Sequence, residues 1–442
     1  MAQYSMTQFK SEMKKCTLVL LSLLAATFSF AQAPIDQIIN AKEVERIERI
    51  LSADDMEGRK VFTPGIEKAA TFIASEFKQT GLQTLNGSDG YLQSFSMVRP
   101  RFLGVNCSFD GAILDSRNVI VFTSQSELTM NERSGYEKIA VAAGGNLRSV
   151  LGKVLNGDKN YLVLVDTSFA KIFGNLTRMK SALFKTDKNV VFVLTAQNPA
   201  SYTVTARHEI SEMKLANVVG IIPGRSRPNE YVIFSGHYDH LGISTHNMVN
   251  NDSIYNGAND DAAGTTAVMM LAKYFKALNN NERTLIFAAF TAEEAGGFGA
   301  TYFSKQFNPE EVKAMFNIEM IGTESKWGRN SAYITGYEKT DMGKILQNNL
   351  EGTGFTFYAD PYPLQQLFYR SDNATLARLG VPAHTISTSK MDNEPNYHKA
   401  SDEIGTLDME NMSMIIKAIA LSSRGIVSGK ETPSRVDTAR LK

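Results

Sequence analysis

Five short segments between Gly236 and Glu403 each carry a metal-type or acid–base side chain in a recognisable local setting. They are GHYDHLG (236–242), NGANDDAAG (256–264), FTAEEAG (290–296), FNIEMIG (316–322) and NYHKASDE (396–403). Together they offer two histidines, an aspartate of the kind that two ions can share, ligating glutamates in the third and fourth segments, and one spare glutamate. That inventory suits two divalent ions of hard to borderline character and one general base. No other feature of the chain narrows its chemistry as far.

Each segment has a bland reading beside the chemical one. His237 follows an apolar run, and Asp239 two residues on is a candidate to receive the second ring N–H of a ligating imidazole. A lone histidine is more often structural, and the company of the other segments reverses that preference. Asp260 and Asp261 stand in a Gly-rich loop ahead of a helix. One carboxylate there can bridge two cations at about 3.5–4 Å separation, and the other can cap the helix. Asp260 is the candidate bridge and Asp261 the support. Glu293 and Glu294 are adjacent and point in different directions, so one can ligate while the other handles a proton. Glu319 lies among Phe316, Ile318, Met320 and Ile321, where a carboxylate is costly to bury unless paired or coordinating. His398 follows a turn-rich stretch and has Tyr397 before it. His208, His240, His246 and His384 lack an equally complete setting and read as structural or outer groups, with His240 the nearest to the site.

The elements around these segments predict how they are positioned. From about residue 215 the pattern is strand, loop, helix. Candidate strands are 231–235, 284–290, 314–320, 331–335 and 383–387, several nearly all apolar, as in a sheet covered on both faces. Candidate helices are 265–278, 341–352 and 409–425. Each motif falls just past the C-terminal end of a strand or in the following loop, the edge where open α/β sheets bind ligands. Residues 36–95 read as helical, with Thr63 and Pro64 as N-cap and first position of an amphipathic helix over 66–79. Residues 96–212 alternate short apolar runs with a basic amphipathic stretch over 169–185 and carry no metal-type cluster. The division is a catalytic domain over 32–107 and 211–428, a smaller inserted α/β domain over 108–210, and a loose polar tail over 429–442.

Gross composition bounds the alternatives. The 442 residues are 43% hydrophobic, enough for a large core. Basic and acidic residues are equal at 46 each, which predicts neither a nucleic-acid footprint nor a polybasic membrane surface. Lys14 and Lys15 precede an uncharged apolar run over 17–30, and Ser29 and Ala31 suit a signal cleavage site. The expectation is a signal peptide over 1–31, cut after Ala31, and a secreted or periplasmic protein. No later stretch reaches the length of a membrane span. Cys107 would be the lone cysteine of the mature chain, so no intrachain disulfide is expected.

The five motifs, in this order, resemble the co-catalytic zinc exopeptidases, the family of secreted bacterial aminopeptidases and glutamate carboxypeptidases. The match covers about 36–95 and 215–425, and the middle region resembles the protease-associated or lid-like insertion of some members. The resemblance implies an α/β fold with a mixed, mostly parallel central sheet and helices on both faces. It implies two divalent ions, zinc first among them. Asp260 would bridge both, His237 and Glu319 would complete one, and Glu294 and His398 the other. Glu293 would be the base and Tyr397 a partner for the substrate carbonyl. An unusual peptide bond often follows the bridging aspartate. Two departures stand out. Glu319 occupies a place where members usually have aspartate, adding roughly 1.5 Å of reach. Asn373 follows Ser371-Asp372 where many have histidine.

The expected activity is hydrolysis of the N-terminal peptide bond of a peptide with a free amine, through a water between the ions and Glu293 as base. Rivals within the resemblance are a carboxypeptidase for acidic C-termini, for which Arg329 and Arg370 are the nearest arginines, a glutaminyl cyclase, and a non-catalytic binding relative. A Ser-His-Asp hydrolase is disfavoured, because no G-x-S-x-G elbow occurs.

Overall fold

The computed structural model describes residues 35–441 apart from 156, 181 and 247. The signal-peptide expectation, with Cys16, therefore lies outside the described residues. The fold is built on one 12-stranded mixed sheet. Its main strands are β1 (Leu92–Phe109), β2 (Tyr202–Ile222), β3 (Arg227–His237), β4 (Arg283–Phe290), β5 (Val312–Ile318), β6 (Ser331–Ile334), β7 (Thr356–Ala359) and β8 (Ala383–Ser387). They lie in the order β7-β6-β8-β5-β3-β4-β2-β1.

The centre of the sheet is parallel, since β3 pairs with β4 and β5, and β5 with β8, in that sense. β2 joins β4 antiparallel and β6 joins β8 antiparallel. Parallel strands need crossovers, which cover both faces. Accordingly every residue of β4 is buried. Phe234 of β3 stacks on Phe316 and Phe287 of the neighbouring strands and on Phe275 of a covering helix, at centroid distances of 4.9, 5.5 and 5.3 Å. Each such ring contributes roughly 1.5–3 kcal/mol by leaving water.

Four helices make the layers that bear on the site: α1 (Ala41–Leu51), α2 (Pro64–Thr80), α3 (Ala263–Leu278) and α4 (Met409–Ser422). α2 begins with Pro64 at the position where its missing N–H is harmless and stops at Gly81, whose φ of 77° only glycine takes readily. Thr63 makes no side-chain cap bond. α3 is buried along nearly its whole length, sandwiched between the sheet and the outer helices. Residues 92–95, read as helical from sequence, open β1 instead. Their alternating burial is a period-two pattern that pairing with β2 exploits.

β1 and β2 run well beyond the central sheet as a long antiparallel ribbon. Between them the chain builds a second, four-stranded sheet in the order Val119–Phe122, Val190–Leu194, Tyr161–Val165, Glu137–Val141. The tail is not loose. Buried Arg283 donates to the carbonyls of Ile426 and Glu431 and to Thr432 Oγ1. Arg435 donates to Pro309 and Val312, and Val436 is buried. Polar composition suggested looseness, but the Glu431 carbonyl and Thr432 hydroxyl of the tail satisfy a buried guanidinium and are held by it.

Candidate metal centre

The five motifs converge at the C-terminal edge of the parallel strands. His237 is the last residue of β3, Glu319 the first after β5, and Glu293 and Glu294 follow β4 by three and four residues. Asp260 lies in an irregular turn, Ala258–Ala262, immediately before α3, and the Asp260–Asp261 peptide is cis. His398 arrives on the loop after β8. Ala292, Met320 and His398 all have φ between 52° and 59°. Such values are uncommon for residues with a side chain, and their clustering on three site loops marks backbone held by its surroundings.

Asp260 is the hinge of the geometry. Its Oδ1 lies 3.2 Å from His237 Nε2, and its Oδ2 lies 3.3 Å from His398 Nε2 and 4.0 Å from His240 Nδ1. Glu294 Oε1 lies 3.1 Å from His398 Nε2 and 3.0 Å from His240 Nδ1. His237, Asp260 and Glu319 have ligand atoms within 4.8 Å of one another, and so do His240, Asp260 and Glu294. The two oxygens of one carboxylate thus face two separate donor groups. His240, read from sequence as an outer residue, is fully buried within the second group. Its only local signal was its place three residues after His237.

The donor chemistry fits divalent ions. His237 Nε2, both ring nitrogens of His240, Asp260 Oδ2, Glu294 Oε1 and Glu319 Oε2 are buried and have no aligned hydrogen-bond partner. Buried polar atoms are seldom left so, because each forfeits its hydration. Imidazole nitrogens with carboxylate oxygens are a zinc-compatible set. Electrostatics point the same way. Burial alone would lower the His237 and His398 pKa values. The Asp260 carboxylate outweighs it, with Glu293 at His237 and Glu294 at His398, raising His237 well above its usual range and His398 to about 10. Burial raises Glu319 to about 7 and Asp372 to about 8. Such crowding of acidic groups favours a cation at their centre.

Surrounding residues hold the donors in place. Asp261 accepts backbone N–H bonds from His237 (3.1 Å), Gly264 (2.9 Å) and Met320 (3.1 Å), tying three loops to one carboxylate. A Cβ at Gly264 would sit 2.4 Å from that carboxylate and 2.1 Å from the Ile318 carbonyl, so the close approach requires glycine. Asp402 accepts the N–H groups of Asn259 and Asp260. Asp239 accepts those of Glu293 (3.0 Å) and Glu294 (3.3 Å). The His237 ring therefore meets the Asp239 main-chain carbonyl, 3.1 Å from Nδ1, rather than the carboxylate at 3.8 Å. The carboxylate is already engaged by two amides.

Glu293 stands beside both groups but belongs to neither. Burial raises its pKa well above the usual carboxylate range, aided by Glu319, Asp372 and Glu294 against the pull of His237. Tyr397 stacks on His398 at 3.9 Å and lines a small cavity of about 40 Å³ with Glu319 and Arg370. Asn373 is fully buried and bonded to the Phe368 and Ala383 carbonyls and to Thr385, so it faces the scaffold and not the donors.

One organising residue had no sequence signal that drew attention to it. Arg59 is fully buried and donates to the carbonyls of Leu51, Tyr238, Asn256 and Gly257 at 2.5–2.8 Å. It thereby fastens the loop between His237 and Asp239 to the loop that leads to Asp260.

Comparison with known proteins gives a family match and a shared fold. The profile of Peptidase family M28 matches residues 217–422. A probable zinc metalloprotease of Pyrenophora teres f. teres is 32% identical over 113 residues, 25% of this chain and 23% of that protein. Aminopeptidase YwaD of Bacillus subtilis is 25% identical over 332 residues, 73% of this chain and 65% of that protein. Thus the chain spans only about a quarter of the length of the first curated relatives it matches. Among solved structures, BSAP, a zinc aminopeptidase from Bacillus subtilis, superposes with a TM-score of 0.53 at 17% identity, covering 90% of this chain and 98% of that one. The aminopeptidase from Aneurinibacillus sp. strain AM-1 gives 0.52 at 18% identity, covering 92% and 98%. The fold is shared with both, and every donor and brace of the cluster except Arg59 falls inside residues 217–422, the stretch that matches Peptidase family M28.

Proposed function

We propose that the protein is a secreted zinc aminopeptidase with two ions, removing the N-terminal residue of peptides. The carrying observation is Asp260, whose two oxygens face two separate sets of unpartnered donors, with Glu293 left over beside them. His237, Asp260 and Glu319 would hold one ion. Glu294 and Asp260 would hold the other with His398, as the resemblance implies, and His240 lies equally close. Ions bound there would supply Lewis acidity to the scissile carbonyl and to water. Glu293 takes the proton of the attacking water and returns it to the leaving amine. Tyr397, which lines the small cavity with Glu319, would donate its hydroxyl to the developing oxyanion. Asp239 fixes the Glu293 and Glu294 backbone and so aims both carboxylates. The acidic surroundings attract the free α-amine of a peptide. Names of the curated relatives and of the solved neighbours, zinc metalloprotease and aminopeptidase, support the same reading.

The test is Glu293→Gln. It should keep both ions by metal analysis and lose roughly 10²–10⁴-fold in kcat on aminoacyl chromophores, the range typical of a removed general base. Near-normal turnover would refute the role. Release should require a free amine, vanish on chelation and return with zinc. One observation favours a carboxypeptidase instead, namely Arg370 lining the cavity next to Glu319 and Tyr397. Cleavage of N-blocked, C-free peptides would select that reading. Export is proposed from the signal-like N-terminal run, and the mass of the secreted protein's N-terminus would test it. No helix among the described residues is long and apolar enough to cross a membrane.

A further inference from the structure

Beside the turn that carries Glu293 and Glu294 lies a cavity of about 480 Å³, within the size range of small-ligand sites. One wall comes from the region between β1 and β2, including Phe122, Leu155 and Phe184. The opposite wall is Ala295, Gly296 and Phe298, directly downstream of Glu294. Contacts across it are specific. Phe184 meets Phe298 edge-on at 5.6 Å, and Lys305 Nζ lies 4.8 Å above the Phe184 ring. The turn itself is tightened by Gly296 and Gly297 N–H bonds to the Glu293 carbonyl. Gly296 is two positions after Glu294, so the cavity begins within roughly 7 Å of chain from the metal centre.

The lining has an apolar floor and a cationic rim. Among the described residues Arg178, Lys188 and Lys305 line it, and no Asp or Glu does. Among the described residues none of these three is paired with a carboxylate in an ion pair. Isolated exposed cations are ordinary. Three around one apolar hollow, without a counter-charge, make a complement to an anion that carries apolar side chains. A peptide whose free amine lies at the metal centre presents such a group at its other end.

We propose that this cavity receives the C-terminal carboxylate and last apolar side chain of the peptide substrate, so that the enzyme prefers short free-acid peptides. The proposal rests on the aminopeptidase reading. At about 3.3–3.6 Å per residue, two residues span the roughly 7 Å to the edge of the hollow, so the third residue of a peptide reaches it.

The experiment compares a tetrapeptide acid ending in leucine, its C-terminal amide, and an aminoacyl chromophore. Wild type is set against the double variant Arg178→Gln, Lys305→Gln and against Lys188→Glu. Expected is a fall of about threefold to tenfold in kcat/KM for the acid, carried by KM, as loss of exposed charge contacts gives. The amide and the chromophore should be unaffected, and their unchanged turnover also certifies folding. Equal loss on acid and amide, or no loss on either, would overturn the proposal. Calorimetry with the same acid and amide reads the cavity without turnover. If the wild type releases no N-terminal residue yet binds the acid more tightly than the amide, the aminopeptidase reading fails and the cavity assignment stands. Binding of decanoate with indifference to both peptides would overturn the assignment in favour of a lipid-like anion.

Discussion

Replacing Arg59 with methionine tests how the site is held together. The guanidinium is fully buried and bonded to four carbonyls, those of Leu51, Tyr238, Asn256 and Gly257. Each charge-assisted bond is worth about 1.5–3 kcal/mol. Desolvation of the cation offsets much of that gain. Burial pulls the Arg59 pKa down, while Glu48, Asp402, Asp239 and Asp260 oppose the fall, so the cation is also counter-charge for an acidic interior. Methionine restores neither the bonds nor the charge. Removing one side of such a buried cluster typically costs about 3–5 kcal/mol, and urea unfolding of the metal-free protein should show a loss of that size. Tyr238 lies between His237 and Asp239, and Gly257 is three residues before Asp260. Metal affinity should therefore fall about 10- to 100-fold, as when outer partners of ligands are removed, read by competition against a zinc indicator. Arg59→Lys should recover only part of both, because one ammonium cannot reach four carbonyls in the planar fork that arginine offers. A loss under about 1 kcal/mol, together with unchanged zinc affinity, would refute the argument. It would mean that water or relaxed loops replace the guanidinium at little cost.

Three further outcomes are expected. Burial raises the Glu48 carboxyl to about 8, so the folded state binds a proton there that the unfolded chain releases near its ordinary value of 4.5. Stability from this group is present below about pH 4.5 and declines as pH climbs to 8. Glu48→Gln should flatten that part of the profile in urea midpoints measured at pH 5 and pH 8, and an unchanged slope would count against it. Glu319→Asp should weaken the ion held with His237 by at least about tenfold in calorimetric titration, since the carboxylate retreats by roughly 1.5 Å. Affinity equal to wild type would show that the loop adapts. His240→Ala and His398→Ala should each weaken the second ion without affecting the first. If His240→Ala leaves both affinities unchanged, His240 is a neighbour of the set and not part of it.

Several features were readable from local chemistry. The strands around 231–235, 284–290 and 383–387 announced themselves as apolar runs, because a strand covered on both faces must be apolar throughout. The five motifs were legible because glycine-rich loops beside ionisable residues are unusual, and their order pointed to a known family. The resemblance also anticipated an unusual peptide after Asp260, and the structure has a cis bond there. Elsewhere local pattern misled. Residues 92–95 read as helix, yet their pairing partner lies more than a hundred residues away in β2. The tail read as loose, yet Arg283 and Arg435 bind its backbone and that of its neighbours.

What the sequence determined by itself is the inventory: which side chains can ligate, which can move a proton, and that they stand at strand ends. Those properties are covalent and local. What only the tertiary structure decided is selection among them. His237, His240 and His398 are chemically alike, and only the convergence of three loops puts His240 within 3.0 Å of Glu294. Asp260 and Asp261 are identical neighbours, and only the turn before α3 sends one toward the donors and the other onto three backbone amides. Arg59 carried no motif at all. Its importance comes from burial beside carbonyls that are distant in sequence, and burial is a property of the packed chain rather than of any segment.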